Sequence, residues 1–440
     1  MKHIRSIFFA ALPLILALAA FAGCSKKTAE PATASGRNLV GEIRFSWWGN
    51  EARNTATIEA IRFYESQHPG VTIIPEFTAF DGYYNKLMSQ LAAGNAPDIF
   101  TMNPEWLSSI VDAGGLSDIT GLVDVRSHNP QIASACSVNG KMYGVNVSLN
   151  ANIILYNKTV AEELGIQMPE GDYTWDDLIN ILAQVYQSSG KKIYGMPDQR
   201  MKGGLETFLP AWCLTHLGKE PPFPWTGTEI LITSDDVAAF MDYFNKVPEG
   251  VILPPDESAL LGGANDQHIG QRKTFCSFEY SGTFGMFQSQ TLDELSMIEY
   301  PNNHKGKGVA VSARPGLVEG VSSRSKNKAL AVDFLNWFAN SPDAALILKN
   351  VRGVLPSAVQ REALLANSEL LTVPDQKISA IINQIYGKAI NPYAPGPIGV
   401  SSLFSEQYMR LVGQEVAFGL ITPRQAGHRF EELKEEITGR

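Results

Sequence analysis

Cysteine and histidine are scarce in this chain of 440 residues, which contains four of the first and seven of the second. The cysteines form no Cys-x-x-Cys pair and have no paired histidines beside them, so the sequence predicts no metal site. In an oxidising compartment Cys136, Cys213 and Cys276 could form one disulfide. The sequence alone neither chooses the pair nor excludes three buried thiols. No cofactor is predicted either.

Basic side chains are also the minority, since 36 lysines and arginines stand against 45 aspartates and glutamates. An acidic surface of this size offers no field that would hold phosphates, so nucleic acid is not expected as a partner. The motifs of common catalytic sites are missing too: the sequence has no Gly-x-Ser-x-Gly elbow, no His-Glu-x-x-His pair and no phosphate-binding loop. The sequence therefore predicts a protein that is not an enzyme.

Long apolar runs are absent apart from one at the start, where residues 7–20 follow Lys2 and Arg5. A positive segment followed by an apolar one is typical of a secretory signal peptide. Small residues then directly precede a cysteine, in the order Phe21-Ala22-Gly23-Cys24. This resembles the lipobox of bacterial lipoproteins, although such boxes usually carry Leu at the position of Phe21.

The lipobox predicts a membrane anchor without a membrane-spanning segment. Residues 1–23 would be removed as the signal peptide, and Cys24 would carry the lipid, including palmitate, that holds the mature chain at the cell membrane. Residues 24–39 are rich in Ala, Thr, Ser and Lys and would form a flexible tether. The alternative is an ordinary secretory signal whose cysteine is incidental.

Strand and helix patterns alternate after the tether. They predict a strand over residues 42–47, a helix over 55–67 and a second strand over 71–77. The next helix is predicted to have Asp81 as its first cap and Gly94 as its last. Its apolar residues fall on one face, and they are Tyr84, Leu87, Met88, Leu91 and Ala92. A buried strand with Ile99 and Phe100 follows. This alternation predicts an α/β fold in which crossover helices join parallel strands.

Later segments repeat the same elements. A strand is predicted over residues 152–156 in a region that begins near Val145, and a helix opened by Thr174 follows. Further helices are predicted over residues 331–338, from Ser341-Pro342, and at the end of the chain. The last one has Thr422 as its cap, Pro423 at its first position and Gln425 in the capping-box position.

Several short motifs, each weak alone, occur here in a specific order and spacing. They are Phe45-Ser46-Trp47-Trp48-Gly49, Ala92-Ala93-Gly94-Asn95-Ala96-Pro97-Asp98-Ile99, Asn139-Gly140-Lys141-Met142-Tyr143-Gly144-Val145, Leu155-Tyr156-Asn157-Lys158 and Tyr173-Thr174-Trp175-Asp176-Asp177. With them the chain resembles the extracellular solute-binding proteins of carbohydrate ABC importers, which include the maltodextrin-binding proteins. The run around Trp47 is similar to that of the branch that binds pectin-derived oligosaccharides such as oligogalacturonides.

The resemblance implies a periplasmic-binding-protein-like α/β fold, with two discontinuous lobes joined by crossover strands and a ligand cleft between them. Lobe one would be residues 40–148 plus 302–345, and lobe two residues 149–301 plus 346–440. The implied function is a carbohydrate receptor, most simply for an oligosaccharide, that closes by hinge motion and delivers its ligand to the permease subunits of an ABC importer. It would act as a monomer on the extracytoplasmic side of the membrane, at the cell surface or in the periplasm.

Two other functions stay open at this point. A lipid-anchored carbohydrate hydrolase would need two carboxylates about 5 to 10 Å apart across the scissile bond. Asp176 and Asp177, or Asp235 and Asp236, are instead adjacent residues typical of helix starts. A binding protein for a non-sugar solute, such as an amino acid, a peptide or a metal, would need a dedicated charged or histidine-rich cleft.

A sugar site needs aromatic rings for stacking and fixed polar groups for hydrogen bonds. Trp47 and Trp48 are the first candidates, and strand alternation predicts that one faces the cleft and the other the core. Arg53 could bind a uronate carboxylate through its guanidinium group, or could simply be solvated at a helix start. The remaining candidates in lobe one lie on loops after strand ends, and they are Asn50, Glu51, Asp81 and Asn103.

Candidates in the rest of the chain come from the resemblance. The positions expected to face the ligand in lobe two are Trp212, Tyr280, Ser281, Gly282 and Phe284. Glu319 and Arg352 match segments near the family's hinge and are added to the binding site. Asp98 follows a Gly-Asn-Ala-Pro turn and is expected to be structural, because such a turn needs an acceptor.

Overall fold

The computed structural model describes residues 39–80, 82–202, 208–220, 223, 225–226, 229–261, 267–302, 313–388, 408 and 410–438. The predictions for the signal peptide, for Cys24 and for almost all of the tether lie outside the described residues. So does the prediction for Asp81.

The first part of the chain forms three parallel strands, β1 (Gly41–Trp48), β2 (Val71–Thr78) and β3 (Ile99–Met102). β1 lies between the other two. The crossover helices are α1 (Glu51–Gln67) and α2 (Tyr83–Ala93). The predicted strand–helix alternation is therefore confirmed in this region.

Helix α1 begins a turn earlier than the sequence predicted. The side chain of Asn50 accepts a hydrogen bond from the backbone N–H of Arg53, which caps the helix at this point. At the end of α2 the prediction is confirmed, because Gly94 has φ 72° and donates to the carbonyls of Gln90 and Leu91. This left-handed conformation is one that glycine adopts at low cost.

Short elements follow β3 before the chain enters the longest strand. A 3-10 turn (Pro104–Trp106) leads into α3 (Leu107–Asp112). After them come α4 (Pro130–Ser134), β4 (Ser137–Val138) and β5 (Lys141–Met142).

Strand β6 (Val145–Asn157) connects the two halves of the sheet. Its first half pairs antiparallel with β11 (Ala313–Val321), and its second half pairs antiparallel with β9 (Cys276–Tyr280) and β10 (Leu295–Ile298). The sheet order is β10-β6-β11-β3-β1-β2, with β9 also on β6. β11 in turn pairs with β3, so β6 and β11 are the crossing strands.

The remaining elements are mostly helices. They are α5 (Lys158–Leu164), α6 (Trp175–Ser188), α7 (Gln199–Lys202), α8 (Phe208–Trp212) with a π-helical continuation (Cys213–Leu217), the small strands β7 (Trp225–Thr226) and β8 (Glu229–Ile230), α9 (Ser234–Asn245), α10 (Pro255–Ala259), a 3-10 turn (Ser281–Thr283), α11 (Phe284–Gln288), α12 (Lys328–Asn340), α13 (Pro342–Leu348), α14 (Ala358–Leu365), a 3-10 turn (Ser368–Leu370), α15 (Val373–Lys388), α16 (Arg410–Ala417) and α17 (Pro423–Thr438). The predicted caps hold: Thr174 and Asp177 form a capping box on α6, and Thr422 and Gln425 exchange hydrogen bonds at the start of α17.

Two apolar cores lie on the two sides of the crossing strands. The first core contains β1, β2, β3 and α12, with Phe45 and Phe334 in contact. The second core contains α6, α8 and α9. Along β6 the change from one core to the other falls between Val147 and Leu149. The molecule is thus built as two α/β lobes joined by crossover strands, while the residue limits predicted for the lobes stay a prediction.

The three described cysteines are free and buried, so the disulfide that the sequence left open is not formed. Burial raises the pKa of the Cys136 thiol to about 12, which leaves it protonated at neutral pH. Within the described ranges, no helix has the length and apolarity needed to cross a bilayer.

Candidate functional site

The carboxyl ends of β1, β2 and β3 meet at one edge of the sheet because the strands are parallel. In open α/β sheets this edge is where ligands bind. An aromatic residue stands at or just beyond the end of each strand: Trp48 ends β1, Phe80 follows β2, and Trp106 closes the turn after β3. This edge is the candidate functional site.

Four rings form what we call the aromatic wall, defined as Trp48, Phe80, Tyr84 and Trp106. Trp106 is central, with ring centroids 5.6 Å from Trp48, 6.4 Å from Phe80 and 4.7 Å from Tyr84. Trp48 is buried at the base, whereas Phe80 and Tyr84 are 52% and 40% exposed. The wall therefore presents open ring surface that its own buried base holds in place.

The two adjacent tryptophans of β1 are both buried in the first core, and only Trp48 belongs to the wall. Trp47 has no exposed surface, donates its indole N–H to Asn54 Oδ1 at 2.9 Å, and stacks on Phe77. The expected contact of Trp47 with a ligand is therefore corrected to a core role. Trp48 packs against Tyr83 and against Trp106 of the wall. Contact between Trp48 and a ligand remains a prediction.

Three members of the wall were not predicted as site residues. Sequence periodicity placed Tyr84 on the inward face of α2, but the structure buries its neighbour Tyr83, which donates to the carbonyls of Ser46 and Thr101. Tyr84 consequently faces outward. Phe80 and Trp106 could have been found by asking which aromatic residues follow the end of each parallel strand.

A polar group begins at the residue directly before Trp106 of the wall. We call it the bridge and define it as Glu105, Arg314 and Tyr280. Arg314 on β11 forms an ion pair with Glu105, and its Nη1 donates to the Tyr280 hydroxyl at 2.8 Å. The guanidinium carbon also lies 4.9 Å from the Tyr280 ring centroid. Glu105 directly precedes Trp106, so the bridge is joined to the wall by the chain itself.

Of the bridge, the sequence predicted only Tyr280. It ends β9, next to the crossing strand β6, where it is half-buried. Glu105 and Arg314 are 209 residues apart, and no local motif connects them. Only the pairing of β11 with β3 brings them to the same place.

Arg53 is held against the main chain. Its Nη1 donates to the carbonyl of Trp48 at 3.1 Å and its Nε to the carbonyl of Val351 at 3.4 Å. Burial and the nearby Arg352 lower the pKa of Arg53 to about 10, against the opposing effect of Glu319. The alternative of a solvated helix-start arginine is therefore wrong, while binding of a uronate by Arg53 stays a prediction.

Three other residues predicted for this edge differ in exposure. Asn50 and Glu51 are exposed at the start of α1. Asn103 is half-buried before the 3-10 turn, and its side chain makes no capping hydrogen bond there. Ligand contact by these three side chains stays a prediction.

Glu319 and Arg352 lie in the interior instead of on the surface of a cleft. They form an ion pair, and both have 2% exposure or less. Thr101 Oγ1 lies 2.9 Å from each carboxylate oxygen of Glu319, and Arg352 Nη1 donates to Thr57 Oγ1 at 3.1 Å. Because protein groups surround both charges, the expected contact with a ligand is corrected to a structural role.

Two of the residues predicted in the second lobe are also core residues. Trp212 is buried and stacks on His216 with ring centroids 4.8 Å apart. Phe284 is buried in the second core. Both predictions of ligand contact are corrected, because the aromatic side chains pack inward.

The turn after Tyr280 is tied to the crossing strand. Ser281 is buried, and its hydroxyl oxygen accepts a hydrogen bond from the N–H of Ala151 on β6 at 3.1 Å. Gly282 is exposed, and a Cβ added there would lie 2.7 Å from Asn150 Oδ1, so a side chain would not fit without a shift. This turn positions Tyr280, and a direct role of Ser281 in ligand contact is corrected by its burial.

The structural role predicted for Asp98 is confirmed. Its carboxylate accepts hydrogen bonds from the backbone N–H of Arg44 at 2.8 Å and from the hydroxyl of Ser325 at 2.5 Å. It thereby connects β1 to the segment after β11. Among the described residues, the structure has no group of three or more His, Cys, Asp or Glu side chains arranged to hold a metal ion.

Two α/β lobes, crossing strands and a site at the carboxyl ends of the parallel strands define the periplasmic-binding-protein fold. The chain belongs to the family of bacterial extracellular solute-binding proteins, whose model matches residues 59–368. The family places the protein outside the cytoplasm, and its members are binding proteins, not enzymes.

Individual relatives are distant in sequence. A protein of Brucella abortus with the general name of binding protein is 24% identical over 222 residues, which are 49% of this chain and 52% of that protein. The match thus spans about half the length of that relative. The arabinooligosaccharide-binding protein of Bacillus subtilis is 22% identical over 80% of each chain.

A solved structure shares the fold over nearly the whole length. It is a periplasmic oligogalacturonide-binding protein from Yersinia enterocolitica, in complex with saturated digalacturonic acid. The TM-score is 0.73 at 19% identity, over 90% of this chain and 98% of that chain. At this level of identity the likeness establishes the fold alone.

Proposed function

We propose that this protein is an extracytoplasmic receptor that binds a carbohydrate, in the form of an oligosaccharide, and delivers it to the permease of an ABC importer. The observation that carries the proposal is the aromatic wall, with open ring surface beside the charged bridge. The names of the relatives that bind arabinooligosaccharides and other sugars support the same class of ligand.

The chemistry of the wall and the bridge suits a sugar. The C–H faces of a pyranose or furanose ring stack on aromatic rings. Its hydroxyls need both acceptors and donors, which the carboxylate of Glu105 and the guanidinium of Arg314 supply. The rings grouped around Trp106 would offer stacking surface to more than one sugar unit.

The division of these groups between elements supports hinge closure. The wall lies on elements of the first core, whereas Tyr280 ends a strand that pairs with the far half of β6. A ligand that contacts both sides binds the closed form more tightly and so shifts the population toward it. The permease would then recognise the closed arrangement of the two lobes.

The anchor and the assembly state belong to the same proposal. A lipid on Cys24 would hold the monomeric receptor beside its permease through the tether of residues 24–39. Cys24→Ser is expected to release the protein from membranes without a change in sugar affinity. A change in affinity would contradict a simple tether.

The hydrolase alternative is weakened by the positions of the paired acids. Asp177 caps α6 together with Thr174, and Asp236 does the same for α9 together with Thr233. Asp176 accepts a hydrogen bond from the hydroxyl of Tyr243 at 2.9 Å. Asp177 and Asp236 thus stabilise helix starts and Asp176 contacts a neighbouring helix, which supports a binding protein without a catalytic function.

A thermal-shift screen of the mature protein tests the proposal. Neutral and acidic oligosaccharides, peptides and divalent metals would be compared, because a ligand raises the melting temperature by mass action. Stabilisation by an oligosaccharide is expected. Stabilisation by peptides or metals alone would contradict the proposal.

A pair of matched variants connects the screen to the wall. Phe80→Ala removes a ring that is 52% exposed in the wall, and Phe418→Ala removes one that is 50% exposed after α16. A stacking ring contributes about 0.5 to 1.5 kcal/mol, so Phe80→Ala should weaken sugar binding roughly 2-fold to 10-fold. Phe418→Ala should leave the affinity unchanged. Equal effects of the two variants would contradict a binding role for the wall.

A further inference from the structure

The bridge carries an inference about the charge of the ligand, which rests on the proposed function. Both ends of the Arg314 guanidinium group have partners: one η nitrogen donates to the Tyr280 hydroxyl and the other to Glu105. The Arg314 side chain is only 13% exposed, and that of Glu105 is 30% exposed. The charge pair is therefore partly exposed, and the contact with the Tyr280 hydroxyl holds the guanidinium group in place.

A guanidinium fork is the protein group that best matches a carboxylate. In this chain Oε1 of Glu105 already accepts a hydrogen bond from Nη2 of Arg314, which is one nitrogen of that fork. A uronate sugar stacked on Trp106 would bring a second carboxylate next to Glu105. Two like charges at such a distance repel each other, and they do so more strongly where water is partly excluded.

A neutral sugar meets no such conflict. Its hydroxyl can donate to a carboxylate oxygen of Glu105 and accept from the guanidinium, and the ion pair stays intact. The hydroxyl would form hydrogen bonds with both charged groups of the bridge and would add no further charge to the site. The geometry of the bridge thus favours a ligand without a carboxylate.

The other arginine considered for a uronate does not reverse this preference. The Nη1 and Nε of Arg53 donate to the main-chain carbonyls of Trp48 and Val351. These contacts connect α1 to the segment after α13. Each of the two forks of the guanidinium group includes one of these nitrogens, so a bidentate carboxylate would have to share a nitrogen with a main-chain carbonyl. Arg53 is therefore engaged with the chain, as Arg314 is engaged with Glu105.

We propose that Glu105 is a specificity-determining residue that occupies the Arg314 fork, so that the site accepts neutral oligosaccharides and rejects uronate-containing ones. Replacement of Glu105 by a neutral amide leaves hydrogen-bonding capacity but removes the negative charge. The guanidinium then becomes the partner for a carboxylate of the ligand, and the preference reverses.

The experiment compares the dissociation constants of arabinotetraose, maltotetraose and tetragalacturonate by calorimetry. The wild type is expected to bind a neutral tetrasaccharide more tightly than tetragalacturonate. In Glu105→Gln the ratio of the two constants should shift toward tetragalacturonate by about tenfold or more, and the gain should weaken at high salt. The double variant with Arg314→Gln should lose that gain.

Matched controls separate this effect from a general change in charge or stability. Glu59→Gln removes the same charge from the exposed side of α1 and should leave the ratio unchanged. The melting temperature of each variant shows whether it folds. Should Glu105→Gln fail to fold, Glu105→Asn removes the charge with a shorter side chain and must shift the ratio in the same direction.

The outcomes are distinguishable. A wild type that binds tetragalacturonate more tightly than both neutral sugars overturns the inference but leaves the proposed function intact. So does a Glu105→Gln variant with an unchanged ratio. A protein that binds none of the sugars contradicts the proposed function, and this inference fails with it.

Discussion

The molecule contains two arginine–glutamate pairs whose chemistry is the same and whose surroundings differ. Glu319 and Arg352 have side-chain exposures of 0% and 1%, whereas Glu105 and Arg314 have 30% and 13%. The first pair is enclosed by β3, α1 and β11. The second includes Glu105, the residue directly before Trp106 of the aromatic wall. Exposure, more than the type of residue, separates a pair that holds the fold from one that can meet a ligand.

The energies of the two pairs should differ accordingly. Removal of one partner from a buried pair leaves a charge without compensation and costs about 3 to 5 kcal/mol. An exposed pair contributes about 0 to 1 kcal/mol, because water and salt screen it. The partly exposed bridge lies between these limits, so its partners can exchange with a ligand at moderate cost.

The largest expected effect is on stability and comes from the buried pair. Arg352→Ala should lower the free energy of unfolding by about 3 to 5 kcal/mol, because it leaves the Glu319 carboxylate buried without its cation. Denaturant unfolding measures this change. The control is Arg126→Ala, which breaks an exposed pair with Asp124 and should cost less than about 1 kcal/mol. A similar loss of unfolding free energy in both variants would contradict the proposed difference between the buried pair and the exposed pair.

The next effect is on ligand affinity and comes from the wall. Trp106 contacts the other three rings of the wall, so Trp106→Ala should weaken binding of the best oligosaccharide by roughly 10-fold to 100-fold, as hot-spot aromatic residues do. Calorimetric titration provides the measurement. Trp337 is a partly buried ring that stacks on Phe63 in the first core, outside the wall. Trp337→Ala should reduce stability and spare affinity, and the reverse pattern would contradict the assigned site.

A smaller effect is expected at Arg53, which is near the buried Glu319–Arg352 pair and contacts the main chain of Trp48 in the wall. Its guanidinium fixes the main chain at Trp48 and Val351. Arg53→Ala should therefore weaken the binding of neutral and acidic tetrasaccharides by the same factor, of a few-fold. The measurement is the ratio of the dissociation constants for the neutral and the acidic tetrasaccharide, which should not change. A selective loss of tetragalacturonate binding would instead support carboxylate recognition by Arg53.

Local signals in the sequence predicted much of the fold. Hydrogen bonds between residues three apart define the caps at Thr174 and Thr422, and the left-handed conformation at Gly94 requires only one residue. The alternation along β1 predicted one tryptophan in the core and one facing the cleft, whereas the structure buries both Trp47 and Trp48, and ligand contact by Trp48 stays a prediction. The start of α1 was missed because Asn50, rather than a later residue, caps it.

The site could be predicted only in part because it depends on tertiary packing. An aromatic residue in a motif reads the same whether it faces a ligand or the core, and Trp212 and Phe284 turned out to pack inward. The partners of Arg314 are distant in sequence, so no spacing pattern could reveal them. Sequence spacing could not reveal the buried pair of Glu319 and Arg352 either, because these residues are also distant in sequence.

The smallest expected effect concerns the cysteines, on which neither charge pair depends. Cys136, Cys213 and Cys276 are free, so reduction with dithiothreitol should leave both the melting temperature and the sugar affinity unchanged. Burial raises the pKa of Cys276 above its usual value and shields the sulfur, so a thiol reagent should label these side chains slowly in the native protein and all three on unfolding. Ligand should slow the labelling further, since it stabilises the folded state. A drop in melting temperature on reduction would reveal a disulfide, and the stability assigned to the buried Glu319–Arg352 pair would then have to be shared with a covalent link.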